Sequence, residues 1–190
     1  SNPDRLKDLG ITHQPVQWRD LADPRYFGQI GVTDPTKSGS IAKAFEMIIH
    51  SECRREVLAA GWTPEQIHDF EARIAAARLP PGVMPDGVPA RYQDDIERGW
   101  LAGVHLVQRI GANARYFTDG AGKVPVDVAA GDAAAGISID FYARVQAEVT
   151  KAGEQVRLHY VTPLGGSSIS GDPISLLRGA PHPELARRFL

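Results

Sequence analysis

Gln29-Ile30-Gly31-Val32-Thr33-Asp34-Pro35-Thr36-Lys37-Ser38-Gly39-Ser40-Ile41 is the stretch on which the fold turns. Gln29–Val32 is a short apolar run and reads as a buried strand. A tight loop of Ser, Gly and Ser follows. From Gly39 to Ala60 the apolar residues Ile41, Ala44, Phe45 and Ile48 recur on one face of a long helix. The first amides of a helix have no partner inside it, and the helix dipole adds partial positive charge at that end. The Ser38-Gly39-Ser40 turn, flanked by Thr36, is therefore a receptor for a carboxylate, a phosphate or a metal-bound anion, with Gly39 allowing close approach. The same serine also suits a plain N-cap. Lys37 adds charge for an anion or stays a solvated surface lysine.

Downstream, strands and helices alternate. Thr63-Pro64-Glu65-Gln66 joins a capping box to a proline at the first helical position and opens a second helix to about Arg78, with Ile67, Phe70 and Ile74 inward. Pro80-Pro81-Gly82 stops it. A third helix is expected from Tyr92 to Ile110, with Ile96, Trp100, Val104 and Val107 on its inner stripe. Asp94, Asp95 and Glu97 then fall in its first turn as dipole partners. Ala114–Thr118 reads as a strand ending in the turn Thr118-Asp119-Gly120, and Lys123–Gly131 as a short helix. Ala133–Ile139 is expected as a strand and Phe141–Ala152 as a helix capped by Asp140, with Phe141, Val145 and Val149 sharing a face. Val156–Val161 alternates as a strand, Ile174–Leu177 reads as another, and Pro181–Leu190 begins a helix. This order predicts an α/β, three-layer sandwich around a mixed, mainly parallel sheet.

Composition narrows the function. With 190 residues, 43% hydrophobic and 23% charged, the chain is long enough for one domain or little more. A net charge of −2 offers no basic field for nucleic acid. The single cysteine, Cys53, excludes an internal disulfide and a thiolate metal cluster, and reads as a small apolar group. The six histidines never pair at i,i+4, no H-E-x-x-H or G-x-S-x-G occurs, and Gly166–Gly171 has no following lysine. No catalytic base is assembled, and no apolar run approaches the roughly 20 residues of a membrane span.

Four segments recur in a familiar order: Pro15-Val16-Gln17-Trp18-Arg19-Asp20-Leu21 with Asp23-Pro24; Asp34–Ser40; Gly131–Ile137 followed by Asp140-Phe141-Tyr142; and Val161-Thr162-Pro163 with Asp172-Pro173-Ile174 and Ala180–Ala186. In this order the chain resembles ABC-importer solute-binding proteins of the type II fold, nearest to their ferric-iron-binding branch. The resemblance implies a second lobe over residues 1–162 and, over 163–190, the start of a return segment to a first lobe whose opening strands are absent. It implies a periplasmic or membrane-tethered extracellular location, hinge closure on a cargo, and delivery to a membrane permease. It implies no catalytic residues and no resident cofactor, with ferric iron or a small anionic solute as cargo. An uncovered face toward the missing lobe implies pairing of two copies. The ligand-facing positions would be Thr36, Ser38, Gly39, Ser40, Thr118, Asp119, Asp140 and Tyr142. The iron-binding branch uses adjacent tyrosines at the last of these turns, since phenolates suit ferric iron. Here Phe141 precedes Tyr142, so Tyr142 alone would be a metal ligand. The competing reading is a small α/β enzyme that holds a phosphate or carboxylate on Ser38-Gly39-Ser40, with Asp119 or Asp140 as base. A third is the sensor lobe of a membrane receptor.

Overall fold

A computed structural model describes residues 1–153, 155–169 and 174–189. Helix α1 (Pro3–Asp8) and two 3₁₀ turns (Trp18–Ala22 and Pro24–Tyr26) lead into strand β1 (Ile30–Thr33). The long helix α2 (Gly39–Ala59) follows, then α3 (Pro64–Ala77) and α4 (Ala90–Ala112). Strand β2 (Ala114–Thr118), helix α5 (Lys123–Ala130), strand β3 (Ala135–Gly136), α6 (Asp140–Val149) and α7 (Pro183–Phe189) complete the order.

The three strands form a parallel sheet in the order β2-β1-β3. Thr33 pairs with Thr118 and Gly31 with Gly136, so all three strands end on the same side. Residues of β1 point alternately to opposite faces. Ile30 and Val32 meet Ile41, Ala44 and Ile48 of α2 and Leu106 and Ile110 of α4 in the principal core. On the other face lie glycines. A Cβ at Gly31 would sit 2.8 Å from the Tyr116 hydroxyl, and one at Gly136 would sit 2.3 Å from Val124 Cγ1. Helix α5 can therefore lie close on that face, where Val124 and Val128 pack with Ala133 and Leu158 and with Ala147 of α6. This is the expected helix–sheet–helix layering. The expected mixed character is absent among the described residues, whose three strands are all parallel.

Helix α2 packs most extensively against α4. The approach is set by Gly99 and Gly103, whose missing side chains leave room for the backbone of Cys53 and Ile49. Here the expected inner stripe of α4 holds only in part: Ile96 and Val107 are half-buried against the cores, but Trp100 is not on the inner face. Tyr92, Asp95, Gly99, Gly103, Leu106 and Ile110 are buried, while Trp100 is 53% exposed. The apolar pattern points to Trp100, but backbone contact between helices demands glycine, and glycine carries no hydropathic signal. Asp95 is likewise no dipole partner. The helix starts at Ala90 behind Pro89, so Asp95 falls in the second turn, fully buried. It accepts the Trp62 indole N–H at 2.7 Å and pairs with Arg98. Trp62, Phe70 and Tyr92 stack edge to face around Val57 and Ile67 in a separate small core, and Thr63 and Gln66 form the expected capping box of α3.

Other expectations shift. The strand expected over Ala133–Ile139 shortens to Ala135–Gly136. Val156–Val161 is no strand. It runs as irregular chain beside the N-terminus, with Ser1 and His159 exchanging two backbone hydrogen bonds of 2.8 Å. Ile174–Leu177 is irregular too. Asp140 begins α6 rather than capping it, since Ile139 holds the cap position. Phe141, Val145 and Val149 do share a face, but it is exposed, and no residue of α6 is buried. Asp172 and Pro173 lie outside the described residues.

Candidate functional site

In an open parallel sheet, ligands bind beyond the carboxyl ends of the strands. Three turns leave that edge here: residues 34–38 after β1, 119–122 after β2 and 137–139 after β3. All eight sequence-predicted residues lie on or beside them. The turns are tied together from below. The Asp34 amide donates to the Thr118 carbonyl at 2.9 Å. The buried hydroxyls of Thr33 and Thr118 are 3.1 Å apart, and that of Thr118 donates to the Gly120 carbonyl at 3.0 Å. The Ser138 hydroxyl donates to the Ala121 carbonyl at 3.1 Å. A Cβ at Gly122 would stand 3.9 Å from the Tyr142 ring, which places that ring against the β2–α5 turn.

The β1–α2 turn is built on Asp34, which the sequence reading did not single out. Its carboxylate accepts the Thr36 hydroxyl at 2.7 Å and the Thr36 amide at 2.9 Å, and these two bonds hold it below the usual carboxylate range. Asp-x-Thr ahead of a helix is the local signal for such a turn. Thr36 thus spends its proton on the loop. Ser38 takes the cap position of α2 but makes no side-chain capping bond, contrary to the expected hydroxyl cap. The amides of Gly39 and Ser40 have no side-chain cap, and the first turn of α2 carries no acidic residue. The helix dipole at that end meets no carboxylate within the first turn, although Asp34 lies in the turn before it.

Charge at the mouth is arranged across two turns. Lys37 Nζ lies 2.5 Å from Asp119 Oδ1, and this hydrogen bond raises the lysine above its ordinary range. Lys37 is therefore an ion-pair partner, not an isolated surface lysine. Asp140 is exposed, 3.7 Å from Arg144, and its carboxylate lies in the first turn of α6. The two helix starts at the crevice thus differ: α2 is open to an anion, whereas α6 already carries one. Phe141 is 64% exposed and meets Tyr142 edge to face at 5.6 Å, adding an apolar rim. Thr118 is buried and serves the turn rather than the opening. Asp119 and Asp140 stand on different turns, and each has a cationic neighbour.

A separate cavity of about 130 Å³ lies along the outer edge of β3, between Gly136 and Ile137 on one side and Leu158–Val161 on the other. Asp140 touches its rim. Its walls mix apolar side chains with polar ones, Gln17, Ser138, His159 and Ser167 among them, and the Trp18 indole N–H that lines it is buried without a hydrogen-bond partner among the described residues. Among the described residues no group of three or more His, Cys, Asp or Glu could hold a metal ion, and no helix is long and apolar enough to cross a membrane.

Residues 5–190 match the family described as bacterial extracellular solute-binding protein. Among solved structures, the chain is similar to the periplasmic binding protein AfuA of Actinobacillus pleuropneumoniae, solved with exogenous fructose-6-phosphate bound. The TM-score is 0.63 at 20% identity, covering 99% of this chain and 43% of AfuA. It is similar to the periplasmic binding protein P5PA with a TM-score of 0.53 at 15% identity, covering 86% of this chain and 35% of P5PA. An uncharacterized protein of Haemophilus influenzae is 28% identical over 114 residues, 58% of this chain and 30% of that protein. The chain spans less than half the length of each. The structural likenesses establish the lobe fold of a periplasmic binding protein.

Proposed function

The chain belongs to the bacterial extracellular solute-binding proteins, and on that premise we propose that it forms one wall of a crevice that captures a small anionic solute, of the phosphate-monoester class, for an ABC importer. The observation that carries this reading is the uncapped start of α2 at the carboxyl edge of the sheet: amides without a side-chain cap, no carboxylate in the first turn, and Lys37 alongside. Gly39, Ser40 and the Ser38 hydroxyl would donate to the anion, with Thr36 beside them. Asp140 and Tyr142 would meet hydroxyl groups of the solute, and Phe141 its less polar face. The bound sugar phosphate of AfuA supports the same class. Ferric iron is the weaker choice, because a single phenol at the α6 turn makes a poor hard-ligand set.

In this reading residues 1–162 are the second lobe and 163–190 begin the return to a first lobe, which would close over the solute and present the liganded form to a membrane permease outside the cytoplasm. Half of a two-walled site binds weakly, since closure supplies both burial and orientation. The test is therefore native mass spectrometry and calorimetry on the full-length protein, offered fructose 6-phosphate, inorganic phosphate and ferric citrate. A retained phosphate ester is expected, with affinity falling more than about tenfold in Ser38→Ala with Ser40→Ala, roughly 1.4 kcal/mol. Unchanged affinity in that variant would move the site elsewhere. Phosphate release from the ester, abolished by Asp119→Asn or Asp140→Asn, would favour the enzyme instead.

A further inference from the structure

We propose that Asp119 is a specificity-determining residue: its carboxylate is an internal competitor that occupies Lys37 and so sets the crevice's affinity for anions. The inference rests on reading the strand-end crevice as an anion site. Lys37 projects from the β1–α2 turn and Asp119 from the β2–α5 turn, 82 residues apart, yet their charged atoms meet at 2.5 Å between the two turns. Both are exposed, at 53% and 84% of the side chain, so no packing holds the pair together. The turns beneath them are fixed by the Asp34–Thr118 and Thr33–Thr118 hydrogen bonds. Parting therefore needs only side-chain rotation.

The charge balance gives the pair its role. Asp34 and Asp119 are two carboxylates on the turns that flank the start of α2, and Lys37 is the cation between them. Asp34 is held in place by Thr36 and cannot swing away without dissolving the turn. Asp119 has no such internal tie among the described residues. An arriving anion thus meets a lysine already neutralised and must replace one carboxylate with its own oxygens. A dianion does so better than a monoanion, because it offers Lys37 more charge than Asp119 does. The pair would weaken binding of chloride, acetate and other monoanions more than that of a phosphate ester. Selectivity follows from rejection as much as from attraction.

The test is calorimetric titration of fructose 6-phosphate and of acetate into the full-length protein and its Asp119→Asn, Lys37→Met and doubly substituted forms. Freeing the lysine in Asp119→Asn should tighten both anions, by about threefold for the ester and by more for acetate, and the gain should vanish when Lys37 is also replaced. A gain that persists in the double variant would show only removal of a repelling charge and would overturn the competitor role. Binding by the unsubstituted protein that Asp119→Asn leaves unchanged or weakens would also overturn it, while leaving the anion site itself standing. Failure of all four forms to bind either anion would overturn both readings.

Discussion

Replacing Gly103 by alanine should loosen the packing on which the crevice is mounted. The new Cβ would lie 2.6 Å from Ile49 Cα and 3.1 Å from Ile49 Cβ and Cγ2. Carbon atoms rest at ~3.5–4.0 Å, so the shortfall to the Cα is roughly 1 Å. Ile49 Cα is backbone and has no rotamer to give, so α2 and α4 must separate. Overpacking of a tight contact costs about 1–3 kcal/mol. Alanine returns up to about 1 kcal/mol of helix propensity. The net runs from about 0 to 2 kcal/mol of loss, or up to roughly 8 °C in Tm for a chain of this size. Gly99→Ala meets Cys53 Cα at 2.4 Å and should cost as much. The double variant should fall short of the sum, because one separation relieves both clashes. Scanning calorimetry of the three variants checks this. A Gly103→Ala protein about 1 kcal/mol more stable than the parent would refute the close crossing, since propensity alone would then decide the outcome.

Other substitutions probe other layers. Gly136→Ala should destabilise by about 1–3 kcal/mol, since its Cβ would meet Val124 Cγ1 at 2.3 Å and the Gly31 carbonyl at 3.0 Å; urea midpoints measure this. Trp62→Phe removes the donor to buried Asp95 and should cost about 1.5–3 kcal/mol, with a smaller cost in an Asp95→Asn background, where the acceptor is no longer charged. Glu52, 2% exposed, is pushed up by burial, but the hydrogen bonds from Arg19 and Arg55 outweigh this and leave it below its ordinary value. A depressed carboxylate contributes stability above its unfolded pKa and loses it as pH falls through the folded one. Glu52→Gln should therefore cost about 1–2 kcal/mol at pH 7, less than for a fully buried pair because both arginines are partly exposed, and the gap should close below about pH 4. A gap that widens in acid would contradict the sign.

The sequence carried the elements whose signals are local. The capping box at Thr63, the strand–turn–helix at Val32–Ser40 and the β2 strand with its Thr118-Asp119-Gly120 turn all rest on a few neighbouring residues, and all are present. Residues chosen from those turns converge on one edge because parallel strands must end together. What stayed hidden depends on partners far along the chain. Asp95 looks like any acidic residue near a helix start until Trp62 reaches it. Gly99 and Gly103 are silent in hydropathy, so Trp100 drew the stripe away from the true contact. Val156–Val161 alternates as a strand should, yet among the described residues no ladder partner runs along it. Lys37 and Asp119 each suit solvent, and only the register of β1 on β2 brings them together.

The aromatic cluster of Trp62, Phe70 and Tyr92 is built from α3 and the adjoining parts of α2 and α4, and it shares no residue with the core beneath the sheet. A helix anchored this way can open and reclose as a subglobal unit while the strands stay protected. The consequence is a division of mechanical labour. Heat or solvent can work loose the distal hairpin and leave the strand-end turns in register, and the indole of Trp62 gives such opening an optical reporter far removed in sequence from the turns that would meet cargo.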